Sequence, residues 1–282
     1  MEDSLLNKIK EDLEKTGFGS ELKSLKIFEK SDFLTMAGNN YFDKDEDKQR
    51  EIDIVASLNM TTECSDIEYD YYLFNNLYIT AEVKKSEKPW IVFKSNHAHN
   101  QLNDFYNTLK NFKFNHSNDS RLYRDIDEKL YEIRDKWKLN VNGIHEAFKS
   151  PNNPSRWYGA SMTSIKSIID IFENTYKDFT EDGDKFYNYY YEYQPLIILD
   201  GVLISAEMNE NYEINLKEVD FARIDIKIET KAYKSKSYQV DIVTLNGLED
   251  YLVMKKERQN LINDSIIKLE NFDKNNCKVW FE

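Results

Sequence analysis

The chain predicts an α/β protein, a mixed sheet flanked by helices, with a helical insertion between two groups of strands. Residues 51–58 and 71–85 are β-rich and alternate polar with apolar side chains, as strands with one wetted face do. Residues 195–204 and 238–244 are nearly all apolar, the pattern of central strands buried on both faces. Around these runs apolar residues recur at helical spacing. No apolar stretch reaches the roughly 18 residues that a membrane-spanning helix needs, so no membrane association is expected.

Each element follows from local pattern. Residues 2–15 form an amphipathic helix with Leu6, Ile9 and Leu13 as its buried stripe, stopped by Gly17. Residues 22–28 read as a strand or short extension, and 43–48 as a charged loop. The strands 51–58 and 71–85 suit a hairpin whose connection, 59–75, is long and polar. A helix is expected over 97–112. Another is expected over 122–138, through Leu122, Ile126, Leu130, Ile133 and Trp137. After the loop at Ser150-Pro-Asn-Asn-Pro154, residues 161–172 are again helical. Three segments result: 1–114 as the first half of a core, 115–190 as a helical insertion, and 191–282 as the remaining strands with a helix over 248–261. Trp137, Trp157 and Tyr158 suit the core of the insertion. The aromatic run 186–193 suits packing at a subunit interface or stacking on bases, packing being the commoner role.

Charge bounds the function. With 51 acidic against 38 basic residues the net charge is −13, which opposes free-standing binding to a polyanion. Nucleic-acid binding then requires a local basic patch, for which Lys84, Lys85, Lys88 and Lys94, with Lys110 and Lys113, are candidates. Otherwise a protein partner or a homo-oligomer must deliver the substrate. Cys64 and Cys277 match no CxxC spacing and are expected to be reduced thiols of a cytoplasmic protein. The start of the chain lacks the basic segment and cleavage site of a signal peptide. His97 and His99 do not share a helix face and have no nearby Cys or His, so they are not a zinc pair.

The motif that carries chemistry is Glu82-Val83-Lys84, at the end of the second β-rich run, with Asp53 in the first. Strand alternation puts Glu82 and Lys84 on one face and Ala81 and Val83 on the other. Two carboxylates beside a lysine suit metal-assisted phosphodiester hydrolysis. A hard cation such as Mg²⁺, or Mn²⁺, takes carboxylate and phosphate oxygens as ligands, while the ammonium orients water or stabilises developing charge. The same residues would also serve as a solvated ion pair worth under about 1 kcal/mol. The spacing recurs at Asp225-Ile-Lys227 and Glu229-Thr-Lys231. A rival constellation of Asp200, Asp225, Lys227 and Asp241 is conceivable, although Asp200-Gly201 has the look of a turn.

In this order of helix, strand, Asp-bearing strand and Glu-x-Lys strand followed by a helix, the chain resembles the PD-(D/E)XK superfamily of restriction-endonuclease-like nucleases. The resemblance puts Asp53, Glu82 and Lys84 on the three signature positions, with Glu51-Ile52 where some members carry proline. It implies a restriction-endonuclease-like fold, Mg²⁺ or Mn²⁺ held by Asp53 and Glu82, and hydrolysis of DNA, RNA not being excluded. The continuation 84–93 is similar to bacterial nucleases of phage defence. Many members add an acid from the first helix, for which Glu2, Glu11 and Glu14 are available, Glu2 lying nearest the buried stripe. Gln101, followed by Phe105 where a related pattern has an aromatic, would contact DNA together with Lys85 and Lys88. The alternative is a catalytically degenerate member that binds or regulates within a larger complex.

Overall fold

The computed structural model describes residues 2–65, 70–94, 109–113, 139–150, 152–175, 185–270 and 272–281. Helices α1 (Glu2–Thr16) and α2 (Phe18–Lys30) lead into a meander of β1 (Leu34–Asp43), β2 (Lys48–Ser65) and β3 (Asp70–Lys85). Strands β4 (Trp90–Lys94), β5 (Leu109–Lys113) and β6 (Asn140–Glu146) precede helix α3 (Arg156–Asn174). Then come β7 (Lys185–Asp200), β8 (Leu203–Met208), β9 (Ile214–Glu218), β10 (Phe221–Ile228) and β11 (Lys236–Thr244), followed by α4 (Leu248–Leu269) and β12 (Cys277–Phe281). All these strands join one mixed sheet in the order β1-β2-β3-β7-β11-β10-β6-β4-β8-β9, with β12 beside β2 and β5 beside β7.

The sheet is the middle of three layers. Leu196 and Ile198 of β7 pack with Ile79, Ala81 and Val83 of β3 against Phe28 of α2 and Leu248 and Leu252 of α4. Ile197 and Leu199 face the other way, onto Ile165 and Ile168 of α3. The apolar run of β7 is therefore buried on both faces, as its composition requires. It lies parallel to β3 from Asp70↔Lys185 to Lys85↔Asp200, and α3 makes the crossover between them. On its other edge β7 changes partner, from β5 up to Tyr193 to β11 from Leu196. Pro195, which has no N–H to donate, occupies the changeover, where neither of those strands needs one. No described helix is long and apolar enough to cross a membrane.

Several expectations are corrected. Residues 22–28 belong to helix α2, because a 3.6-residue period buries Ser20, Ser24 and Phe28 on one face. The hydroxyl of Ser24 is satisfied by the Ser20 carbonyl at 2.8 Å. Residues 59–75 are no long connection. The β2–β3 ladder runs unbroken to Ser65↔Asp70, so the hairpin is much longer than the two β-rich runs suggest. Residues 109–112, expected at the end of a helix, form β5, which supplies hydrogen bonds to the edge of β7. The rest of that expected helix, with His97, His99, Gln101 and Phe105, lies outside the described residues, as does 122–138 with Trp137. The 115–190 segment holds strand as well as helix. It contains β6 and the start of β7, whose Tyr190, Tyr191 and Tyr193 are buried in the cores. Cys64 and Cys277 are joined in a disulfide rather than reduced, because antiparallel pairing of β12 with β2 sets them directly opposite each other.

Beneath α4 lies a polar network that disposes of the rival constellation. Asp241 is fully buried and accepts hydrogen bonds from Arg223 Nε at 2.5 Å, Arg223 Nη2 at 3.0 Å and the Tyr251 hydroxyl at 2.8 Å. Lys255 Nζ stands 3.2 Å away. Burial alone would raise the Asp241 carboxyl, but the Arg223 and Lys255 charges hold it below its ordinary value. Neighbouring Glu192 is likewise enclosed by Arg258, Tyr190 and Gln259. Asp225 and Lys227 point from β10 into solvent on the exposed positions of that strand. Asp200 ends β7, where its carboxylate accepts the Ser20 hydroxyl at 2.5 Å.

Candidate active site

The site forms where two strands part. The β2–β3 ladder stops at Ile54↔Ala81, while β3 continues along β7 for four more residues to Lys85↔Asp200. Asp53 and Glu82 are the next residues on the two diverging strands. Opposite Asp53, β1 is kinked by Gly38, whose φ of +59° is left-handed and whose Cβ, if present, would meet Glu51 Oε1 at 2.9 Å. Only glycine is at ease there. The freed main-chain donor of Val83 is taken up by the Asp53 side chain, N to Oδ2 2.7 Å. That bond orients the carboxylate across the gap.

Lys84 joins the two acids. Its Nζ lies 2.5 Å from Glu82 Oε2 and 3.6 Å from Asp53 Oδ2. The two oxygens are thus no farther apart than those contacts laid end to end. Glu82 and Lys84 share one face of β3, while Ala81 and Val83 are buried in the core on the other, as the alternation requires. Glu82 is buried at 7 % exposure. Burial pushes its carboxyl up to about 7; the Lys84 charge opposes this, and Asp53 and Glu21 add to it.

Glu21 is the acid that the sequence reading missed. It lines the same cleft from α2, and its carboxyl is raised by burial and then by the charge of Asp53. With 22–28 taken as a strand it had no face to occupy. As a helix, 21, 24 and 28 fall on one face, so the buried pair Ser24 and Phe28 carries Glu21 toward the sheet. Of the acids expected from the first helix, Glu11 and Glu14 are exposed and do not line the cleft. The side chain of Glu2 lies outside the described residues.

Glu21, Asp53 and Lys84 open into a cleft of about 800 Å³ between the α1–α2 corner and the loop leading to α3, while the buried Glu82, held by Lys84, is not among the residues that line it. Lys15, Lys84, Lys85, Lys88, Lys149 and Arg156 line it, against Glu21, Asp53, Glu87 and Glu146. Local charge therefore inverts the acidic balance of the chain. Lys84, Lys85 and Lys88 are where the sequence suggested, whereas Lys15, Lys149 and Arg156 arrive from other elements. Lys94 instead pairs with Glu207 at 2.9 Å outside the cleft, and Lys110 and Lys113 of β5 do not line it. The wall is braced by Glu146 Oε1, which accepts the Arg156 and Trp157 amides at 2.6 and 3.4 Å in the first turn of α3. Arg156 Nη2 donates to the Lys85 carbonyl at 2.7 Å, and the Lys85 ammonium to that of Glu14. Trp157 packs on the core beside α3, as expected, and Tyr158 is half exposed.

No group of three His, Cys, Asp or Glu among the described residues is arranged to hold a metal ion. The Asp53 and Glu82 pair nonetheless fits a small hard cation, since Mg²⁺ keeps several waters and is commonly held by one or two carboxylates. Comparison with protein-family models, curated proteins and solved structures yields no match to this chain.

Proposed function

We propose that the protein is a metal-dependent nuclease that hydrolyses phosphodiester bonds, with DNA as the favoured substrate and RNA also admissible. The observation that carries the reading is the convergence of Asp53 and Glu82 on Lys84 Nζ, with Asp53 and Lys84 lining a cation-rich cleft. The restriction-endonuclease-like identity of the fold belongs to the same proposal. It is supported by the order of α2, the β1–β2–β3 meander, α3 and a β7 parallel to β3.

Asp53 and Glu82 would hold Mg²⁺ or Mn²⁺, and Glu21 would add negative charge behind them. When bound, the ion neutralises charge on the phosphate and lowers the pKa of water. The chain's own groups do the rest. Val83 N–H fixes the Asp53 carboxylate, and the Lys84 ammonium donates to the attacking water or to the phosphate oxygen on which charge develops. Lys85, Lys88, Lys149 and Arg156 neutralise flanking phosphates. Gln101, which lies outside the described residues, stays in the proposal as a further contact. A cytoplasmic setting rests on the proposed intracellular substrate alone, since the Cys64–Cys277 disulfide removes the reduced thiols that pointed to it, and the phage-defence role rests on the sequence resemblance. Leu6, Ile9 and Leu13, expected as the buried stripe of α1, are exposed together with Leu5, and this apolar surface and the net charge of −13 support a protein partner or self-association.

The test is nicking of supercoiled plasmid by purified protein with Mg²⁺ or Mn²⁺. Wild type converts the plasmid, and Lys84→Ala does not while keeping its fold. Equal rates for the two would sink the proposal. A second reading, a degenerate binding or regulatory subunit, is favoured by the Lys84 ammonium already occupying both carboxylates. Calorimetry with Mn²⁺ separates them: a nuclease binds the ion and loses binding on Asp53→Asn, whereas the degenerate subunit shows no such site.

A further inference from the structure

The loop from β6 to α3 displays an aromatic side chain in a conformation that packing does not reward. Phe148 is 82 % exposed, and its φ of +55° lies in the left-handed region that bulky side chains avoid. Among the described residues the other non-glycine cases are Asp32, Asp47 and Tyr212. Aspartate tolerates this region, and Tyr212 turns the β8–β9 hairpin. Phe148 lies in the turn that ends β6, but unlike Tyr212 it joins no pair of adjacent strands, and a bulky ring is not what a left-handed turn position selects. What the conformation achieves is placement: Ala147 and Lys149, on either side of it, both line the cleft. Lys88 Nζ holds the Phe148 carbonyl at 2.7 Å, and Lys149 Nζ reaches Ser155 Oγ at 3.3 Å. The loop is tied down on the cleft side, while Phe148, which does not itself line the cleft, is exposed between two residues that do.

We propose that Phe148 stacks on an unpaired base next to the phosphate under attack, which makes single-stranded or locally unpaired DNA the substrate class of this site. This rests on the nuclease reading. An aromatic ring at a rim can stack on a base only when that base has left the duplex, and every base offers a π-face, so the contact is sequence-tolerant. Lys88, Lys149 and Arg156 supply the cationic track that a strand's phosphates follow. A cleft of about 800 Å³ is in the range that encloses one small ligand.

Fluorescence anisotropy in EDTA tests the inference, using the full chain with labelled oligo(dT) and a labelled hairpin duplex of equal length. Wild type is expected to prefer oligo(dT). Phe148→Ala should weaken oligo(dT) binding about tenfold, leave the duplex unchanged, and be rescued by Phe148→Trp. Unaltered oligo(dT) affinity, or equal loss on both ligands, overturns the inference. Phe148→Gly should raise Tm by a few degrees through relief of the left-handed backbone, yet bind oligo(dT) as weakly as the alanine variant. A lowered Tm would give the ring a packing role and likewise overturn it. The two readings fail separately: cleavage of duplex at a rate indifferent to Phe148→Ala removes the stacking role and keeps the nuclease. A Phe148-dependent preference for oligo(dT) without Mg²⁺-dependent cleavage does the reverse.

Discussion

The main-chain nitrogen of Val83 lies 2.7 Å from Asp53 Oδ2, so a side chain completes the hydrogen bonding that the β2–β3 ladder abandons one pair earlier. The bond couples sheet geometry to chemistry. The strands must diverge to leave a donor for Asp53, and the same divergence opens the cleft above Lys84. Four predictions follow from this neighbourhood and from the core behind it.

On the proposed nuclease reading, Lys84 supplies the donor to the reacting phosphate or water. Lys84→Ala is expected to lower the plasmid-nicking rate by roughly 10²–10³, the loss seen when one preorganised donor is deleted. Circular dichroism should show an unchanged fold. Lys84→Arg, whose planar fork cannot reproduce a compact ammonium, should recover little of the rate.

Stability should depend on pH through Glu82. Its carboxyl rises from the ordinary 4.5 to about 7 in the folded protein, so the folded state binds this proton more tightly than the unfolded state does. The associated stability is full below about 4.5 and is lost as pH climbs through 7. Glu82→Gln cannot ionise. Relative to wild type it should gain on the order of 3 kcal/mol at most at about pH 8, and gain almost nothing at about pH 4. Denaturant melts of both proteins across pH measure this, and a constant difference would count against the burial argument.

Glu21 acts on the same charge balance. Its replacement by Gln removes a negative charge that helps raise Glu82, so the pH at which the Glu82-dependent stability is lost should move down. Mn²⁺ affinity should fall about 10–100-fold, as when a group supporting metal ligands is lost. Titration calorimetry reads the second effect, and equal affinities would place Glu21 outside the site.

Asp241→Ala leaves Arg223 and Lys255 without the carboxylate that both face under α4. Breaking a buried pair in this way costs about 3–5 kcal/mol. The loss should be seen in urea unfolding, with the nicking rate per folded molecule unchanged. A large loss of rate at full stability would return Asp241 to the catalytic candidates.

Much of the site was legible because strand alternation is a strong local rule. Glu82 and Lys84 had to share a face once 71–85 was a strand, and the apolar 195–200 had to be central, whereas 203–204, read as part of the same strand, begin β8 beside the sheet edge. Glu21 was not legible, since 22–28 fits a short strand as well as it fits a helix. Choosing between them depends on the sheet face that Ser24 and Phe28 cover. Cys64 and Cys277 looked unrelated because 213 residues separate them. Their pairing follows from the return of β12 to β2.

The amino-acid order alone determined the α/β class, the two-sided burial of β7, and a strand end bearing two acids and a lysine, because side-chain periodicity is set within a few residues. Tertiary structure decided which charges meet. Lys15 and Glu21 come from the α1–α2 corner and Lys149 and Arg156 from the entry to α3, and they line one cleft with Lys84 because α2 and α3 pack on opposite faces of one sheet. Electrostatic interaction depends on distance through space, which local sequence does not encode.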